Sequence, residues 1–176
     1  MEKAQPLVAD GRLDPAEVME DRSFEEFVRA EHGRLYGALC LIAGDRHEAE
    51  DIMQDAFVRL LERWDRVQRM DDATGYLYRT AMNVFRRRRT RAAMAIRRAV
   101  TFAPHEDSFA AVEDREIVFR ALAAIPMQQR AALVVTALLG YSSEEAGRIL
   151  GLRASTVRAR ATRARATLRG MIGDEA

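Results

Sequence analysis

The chain has 176 residues, 48% of them apolar and 31% charged, and a formal net charge of +1. That length holds one ordinary domain or two small ones, and no stretch reaches the roughly 18 apolar residues of a membrane span. The acidic start, Met1 to Asp21, is not expected to be a secretory or transit segment, and the one cysteine, Cys40, can form no internal disulfide, so a cytoplasmic setting and a buried thiol are the expectations.

Residues 1–22, with Pro6, Gly11, Pro15 and many acids, read as a tail. Ser23 with Glu26 three positions on forms a capping box, which predicts a helix from Phe24 to near Gly44. Asp45, with Glu48 at the reciprocal position, caps a second helix running to about Trp64. Asp65 to Asp72 is a polar connection, and a third helix runs from about Thr74 to Arg91 or somewhat beyond. From 92 to 112 the periodicity weakens, and Pro104, His105, Glu106, Asp107 and Ser108 mark a linker. Glu113 to Ala124 is a helix broken by Pro126, which suits the first turn of the next helix, running to about Leu139. Ser142 with Glu145 makes another capping box, opening a short helix that ends before Gly151. The last helix runs from about Ala154 to Met171. With no strand alternation, the expected fold is all-α: two small helical domains, 23–92 and 113–173, joined by a flexible linker, 93–112, after the acidic tail. Whether the two domains pack together in the free protein is left open.

The near-neutral total conceals separated blocks of charge. Every basic residue except Lys3 is arginine; seven arginines lie between Arg86 and Arg98 and seven more between Arg148 and Arg169, with no acid in either stretch. Acids collect in the tail, between Asp45 and Asp72, and between Glu106 and Glu116. Such segregation fits different partners for different surfaces.

Placing residues 100° apart sorts each helix into faces. On the last helix Val157, Ala161, Ala164 and Leu168 form an apolar stripe. Opposite lie the small residues Ser155, Ala159, Thr162 and Ala166, flanked by Arg160 and Arg163 on one side and Arg158, Arg165 and Arg169 on the other. Small residues let a helix approach a groove floor, and guanidiniums reach phosphates or guanine edges. A short helix, Gly151 and this longer helix have the spacing of a helix-turn-helix. On the third helix Leu77, Tyr78, Ala81, Val84 and Phe85 face a core, while Tyr76, Arg79, Thr80, Asn83, Arg86 and Arg87 face outward, a mixture suited to unstacked bases and a phosphate backbone and equally to a plain polar surface. On the second helix Ala49, Met53, Ala56, Phe57, Leu60 and Trp64 form the core stripe. Asp51, Gln54, Asp55 and Val58 lie outward, with Leu61 at the other margin, a surface open to protein docking or simply to solvent.

Several segments together resemble the sigma-70 family of RNA polymerase sigma factors. Ala49-Glu50-Asp51-Ile52-Met53-Gln54-Asp55-Ala56-Phe57 and Gly75-Tyr76-Leu77-Tyr78-Arg79-Thr80-Ala81-Met82-Asn83 resemble two region 2 helices. Ile125-Pro126, Gln129-Arg130, Gly140 through Ala146, and Thr156 through Arg165 resemble region 4. The short linker resembles the extracytoplasmic-function (ECF) group. The resemblance implies a region 2 three-helix bundle and a region 4 helix-turn-helix in a non-enzymatic initiation factor, a monomer when free, with no cofactor, metal or membrane insertion. Its partners would be core polymerase, duplex and single-stranded promoter DNA and, as in many members, an anti-sigma factor. It implies that Glu50, Asp51 and Gln54, with Asp55 and Val58 beside them, bind the clamp helices of the β′ subunit. Asn83 would line a pocket for a flipped −10 base within the surface of Tyr76, Arg79, Thr80, Arg86 and Arg87, and the loop 65–72 would help choose that base. Region 4 would bind the β flap and read the −35 duplex through Thr156, Arg158, Arg160 and Arg163, with Ser155, Ala159 and Thr162 between them. The linker would thread toward the RNA exit path. Three positions depart from the family pattern: Tyr76 replaces a frequent tryptophan and can still stack; Arg153 replaces a serine cap, which moves the expected helix start toward Ser155; and Gly147 replaces a larger residue, which is expected to loosen packing.

Two other classes fit less well. A stand-alone helix-turn-helix regulator usually dimerises on paired half-sites, and no dimerisation helix is evident. An enzyme needs a site, yet His32, His47 and His105 are scattered without metal-ligand spacing, Glu50 and Asp51 point to different sides of their helix, and there is no glycine-rich phosphate loop.

Overall fold

The computed structural model describes residues 23–98 and 119–173. The tail 1–22, His105 and most of the expected linker lie outside these residues. Helices α1 (Phe24–Ala43), α2 (Arg46–Leu61), α3 (Trp64–Val67) and α4 (Ala73–Arg98) form the first module. Residues 119–123 are helical. They precede α5 (Met127–Leu133), which widens into one π turn at Val134–Leu138, then α6 (Ser143–Leu150) and α7 (Ala154–Gly173).

Local signals set most boundaries. Both capping boxes form: Ser23 Oγ accepts from the Glu26 amide and Ser142 Oγ from the Glu145 amide, each glutamate returning a bond to the cap amide. Asp45 Oδ1 accepts from the Glu48 amide at 2.6 Å. Gly44 and Gly151 end α1 and α6 in the left-handed conformation, at φ 78° and 65°, where a side chain costs energy.

The end of α2 and the cap of α7 differ from expectation, and α5 ends near Leu139 as expected but through a π turn. Helix α2 stops at Leu61, because Arg63 leaves helical geometry at φ −130°. That break turns the Trp64 ring onto Phe24 and Phe27, at centroid distances of 5.4 and 5.1 Å. The connection beyond it is therefore partly helical, with Val67 wholly buried in α3. At the end of α5 the Leu139 amide reaches back five residues to Val134 (3.0 Å), while Thr136 Oγ1 donates to the Ala132 carbonyl (2.8 Å), satisfying an acceptor that the wide turn leaves over. Helix α7 begins at Ala154, with the Arg153 carbonyl accepting from Thr156 and Val157, so Ser155 lies exposed within the first turn and does not cap it.

The expected core stripes are buried. In α2 and α4, Ala49, Met53, Ala56, Phe57, Leu60, Leu77, Tyr78, Ala81, Val84 and Phe85 all face inward, with Ile52 and Met82 added; Cys40 is buried as well. In α7, Val157, Ala161 and Ala164 are buried and Leu168 packs at the edge. Apolar contacts run without interruption from Leu35 and Leu39 of α1 to Ala131, Val135 and Ile149 of the second module, so the two modules share one core.

Gly147 tightens the helix-turn-helix where loosening was expected. The Leu152 amide donates to its carbonyl at 2.9 Å, and a Cβ on Gly147 would stand 2.7 Å from the Leu152 carbonyl oxygen. Only a shift of backbone relieves that clash. Gly147→Ala is therefore expected to lower stability by about 1–3 kcal/mol, read as a lower urea midpoint; an unchanged midpoint would mean that the turn yields.

Candidate nucleic-acid and protein interfaces

Three surfaces carry the residues singled out in the sequence. The first is the outer face of α2. Glu50, Asp51 and Gln54 are exposed, and Gln54 Nε2 donates to Glu50 Oε1 at 3.3 Å. Asp51 and Asp55 share one cation: Arg88 of α4 donates Nη1 to Asp51 at 2.8 Å and Nη2 to Asp55 at 3.2 Å. These bonds, that to Asp51 foremost, push the Arg88 guanidinium further toward its charged form. Next to them stand the apolar side chains of Val58 and Leu61, 58% and 55% exposed. Leu61, placed at the margin from spacing, thus belongs to this open surface. Arg88 was not among the expected contacts, since spacing within α4 cannot reveal a partner in α2.

The second surface is the outward side of α4. Arg79 and Arg87 are exposed, while Tyr76, Thr80 and Asn83 are half-buried. The Tyr76 hydroxyl accepts from Arg63 Nη1 at 3.3 Å, which fixes the ring's outer edge. Thr80 Oγ1 donates back to the Tyr76 carbonyl at 2.9 Å, so its hydroxyl is occupied within its own helix. Arg86 donates to Asn83 Oδ1. Beside the N-terminus of α4 a pocket of about 280 Å³ opens between Phe27, Trp64, Gln68, Met70, Asp71 and Thr74. Aromatic walls and a polar rim suit a planar, hydrogen-bonding group such as a base. The loop expected to help choose a base, 65–72, supplies Gln68, Met70, Asp71 and Asp72 to this lining.

The third surface is α7. Ser155, Arg158, Ala159, Thr162 and Arg163 are exposed on one side and Thr156 is half-buried. Arg158 meets Glu144 at 3.0 Å, a pair open to solvent on both sides. Arg160 departs from the group. It is half-buried and lines, with Arg86, Arg89, Gln128 and Leu150, a cleft of about 350 Å³ between the modules. The sequence reading put Arg86 and Arg160 on two different nucleic-acid surfaces, and here they share one cleft.

Among the described residues no group of His, Cys, Asp or Glu could hold a metal ion, and no helix is long and apolar enough to cross a membrane. His32 and His47 are exposed.

Comparison with known proteins matches residues 27–94 to the family model of sigma-70 region 2 and residues 115–168 to that of sigma-70 region 4. The chain is 34% identical over 173 residues to the ECF RNA polymerase sigma factor SigM of Mycobacterium tuberculosis, covering 94% of this chain and 85% of that protein. It is also 34% identical over 163 residues to SigE of Mycolicibacterium smegmatis, covering 84% of this chain and 60% of that one. Among solved structures, the sigma factor RpoE in complex with the anti-sigma factor NepR from Bartonella quintana shares the fold, with a TM-score of 0.72, 20% identity and coverage of 85% and 96%. CnrH in complex with the cytosolic domain of CnrY shares it as well, with a TM-score of 0.62, 24% identity and coverage of 92% and 96%.

Proposed function

Since the chain belongs to the sigma-70 family, in its ECF group, and so binds core RNA polymerase and directs promoter-specific initiation, we propose the following division of that work among its surfaces. The first module, 23–92, docks the α2 face of Glu50, Asp51, Gln54, Asp55, Val58 and Leu61 on the clamp helices of β′. Exposed apolar side chains ringed by polar ones are what a protein partner desolvates. The α4 face then receives non-template bases of the −10 element: Tyr76 stacks, Arg79 and Arg87 follow the phosphates, and the pocket at Trp64 and Asp71 takes a flipped base. Each captured base offsets its unpairing with about 1–3 kcal/mol. The second module, 113–173, binds the β flap and lays α7 in the −35 major groove, the small residues facing the floor and Arg158, Arg160 and Arg163 reaching bases and phosphates.

The observation that carries this reading is the exposed side of α7, where Ser155, Ala159 and Thr162 lie between arginines, one of which, Arg158, pairs with the solvent-exposed Glu144. No covalent step is required of any residue. One protein of the same fold, RpoE, is bound to the anti-sigma factor NepR, and we extend to this chain an anti-sigma partner in the cytoplasm and a monomeric free form. Reconstituted transcription tests the reading: purified chain is added to matched core polymerase on sheared DNA of the source organism, and starts are mapped. New starts sharing −35 and −10 elements are expected; no new starts and no complex on gel filtration would overturn it.

A further inference from the structure

We propose that the cleft bordered by α4, α5 and α7 is a binding site for a nucleoside polyphosphate, a flat ring carrying a chain of phosphates. Three arginines line this space of about 350 Å³, Arg86 and Arg89 from α4 and Arg160 from α7, and no acid among the described residues lines it with them. A guanidinium keeps its charge at any working pH, so the crowding is not relieved by losing a proton. Arg160 is half-buried and makes no hydrogen bond or ion pair with any described residue. A partly desolvated cation without an acceptor is costly, and an incoming anion returns that cost.

The other two arginines are placed differently. Arg86 donates Nη1 to the Leu150 carbonyl at 2.9 Å and Nη2 to Asn83, so it supplies a fixed charge more than new bonds. The Arg89 guanidinium lies 5.8 Å from the centre of the Phe85 ring. Its field extends past the cleft. Burial foremost, and then the charge of Arg89, hold the Arg130 guanidinium below its ordinary pKa. Burial pushes the Glu48 carboxyl up, and Arg89 opposes it. Glu48 itself lines a separate pocket, with Asp45 and Asp51. Charges of one sign along a concave, apolar wall focus their field on the space between them, and the guanidinium fork matches phosphate oxygens two at a time.

A floor of apolar side chains selects against a bare phosphate. Met82, Phe85 and Leu150 are buried beneath the arginines, and Met127 and Leu152 are half-buried. Thioether and phenyl groups pack well on a flat ring, whereas an inorganic ion would leave this floor wet. Thr90 and Gln128 are exposed at the rim. Thr90 Oγ1 already donates to the Arg86 carbonyl at 3.0 Å, which leaves it free to accept from the amino group of a base, and the Gln128 amide can both donate and accept. The cleft falls in the size range of small-molecule sites, roughly 300–1,000 Å³.

Isothermal titration calorimetry of the full chain with ATP and with pyrophosphate tests the site, without divalent metal and at roughly 0.15 M salt, where diffuse attraction between exposed charges is screened. ATP is expected to bind once per chain and about tenfold tighter than pyrophosphate, the increment that stacking of a base provides. Arg89→Ala is expected to weaken ATP about tenfold, as a charged hydrogen-bond partner is lost. Gln128→Glu should weaken it as well, by setting a carboxylate at the rim. Both residues are exposed, and circular dichroism checks that helix content holds. Arg165→Ala with Arg169→Ala removes two exposed arginines of α7 outside the cleft and should leave ATP binding unchanged. Several ATP molecules per chain, or a loss in that control pair equal to the loss in Arg89→Ala, would mean diffuse attraction to an arginine-rich surface and overturn the site. Pyrophosphate binding as tightly as ATP overturns the nucleotide class, and no saturable binding to wild type overturns the proposal as a whole.

Discussion

Arg158→Glu with Arg163→Glu is expected to reduce promoter-specific initiation at least about 100-fold while leaving the complex with core polymerase intact. A bidentate arginine contact to a base is worth about 1–3 kcal/mol, and reversal adds repulsion from phosphates to the lost bonds. Both side chains are exposed, and the one ion pair removed, Arg158 with Glu144, is open to water. Such pairs contribute at most about 1 kcal/mol, so the fold should survive. Arg160 is a less clean site for reversal: it shares its cleft with Arg86 and Arg89, and a glutamate there would pair with them and alter the contact between the modules as well as that with DNA. Mapped transcription and gel filtration with core enzyme decide the matter. Unchanged initiation would mean that α7 is not the reading helix.

What could be read from the sequence was what depends on near neighbours. The caps at Ser23, Asp45 and Ser142 each pair residues three apart, and the core stripes of α2, α4 and α7 follow from helical period alone. The residues proposed to contact nucleic acid also stand on the helix faces inferred, apart from Arg160, which is half-buried in the cleft that Arg86 also lines. What escaped the sequence were contacts between residues far apart in it. Arg88 reaches Asp51 and Asp55 across 37 and 33 positions, Arg86 reaches Leu150 across 64, Arg130 reaches Ile42 across 88, and Arg34 reaches Leu139 across 105. An arginine is read as a surface residue by default, and nothing local marks Arg130 as buried beneath another helix's carbonyls. The break at Arg63 escaped for a similar reason: the reward for ending α2 is the seat of Trp64 between Phe24 and Phe27, some 40 positions earlier.

Val58→Glu is expected to weaken binding to core polymerase about 30-fold or more, with starts lost in proportion at limiting protein. Val58 is 58% exposed, so the change removes nothing from the core, and helix content and urea midpoint should stay within error. In a docked interface the same side chain would be desolvated. A buried, unpaired carboxylate costs several kcal/mol there, and truncation of a central anchor alone is worth 2 kcal/mol or more. Asp51→Ala should act differently. Arg88 already neutralises much of the Asp51 charge, and an exposed charge at an interface rim governs association rate and salt dependence more than affinity. Measured side by side by titration at two ionic strengths, Val58→Glu should weaken binding equally at both salts, and Asp51→Ala should weaken it less and mainly at low salt. The reverse order would make this face an electrostatic steering patch and move the apolar anchor of polymerase docking elsewhere. No effect from either would remove α2 from the interface altogether.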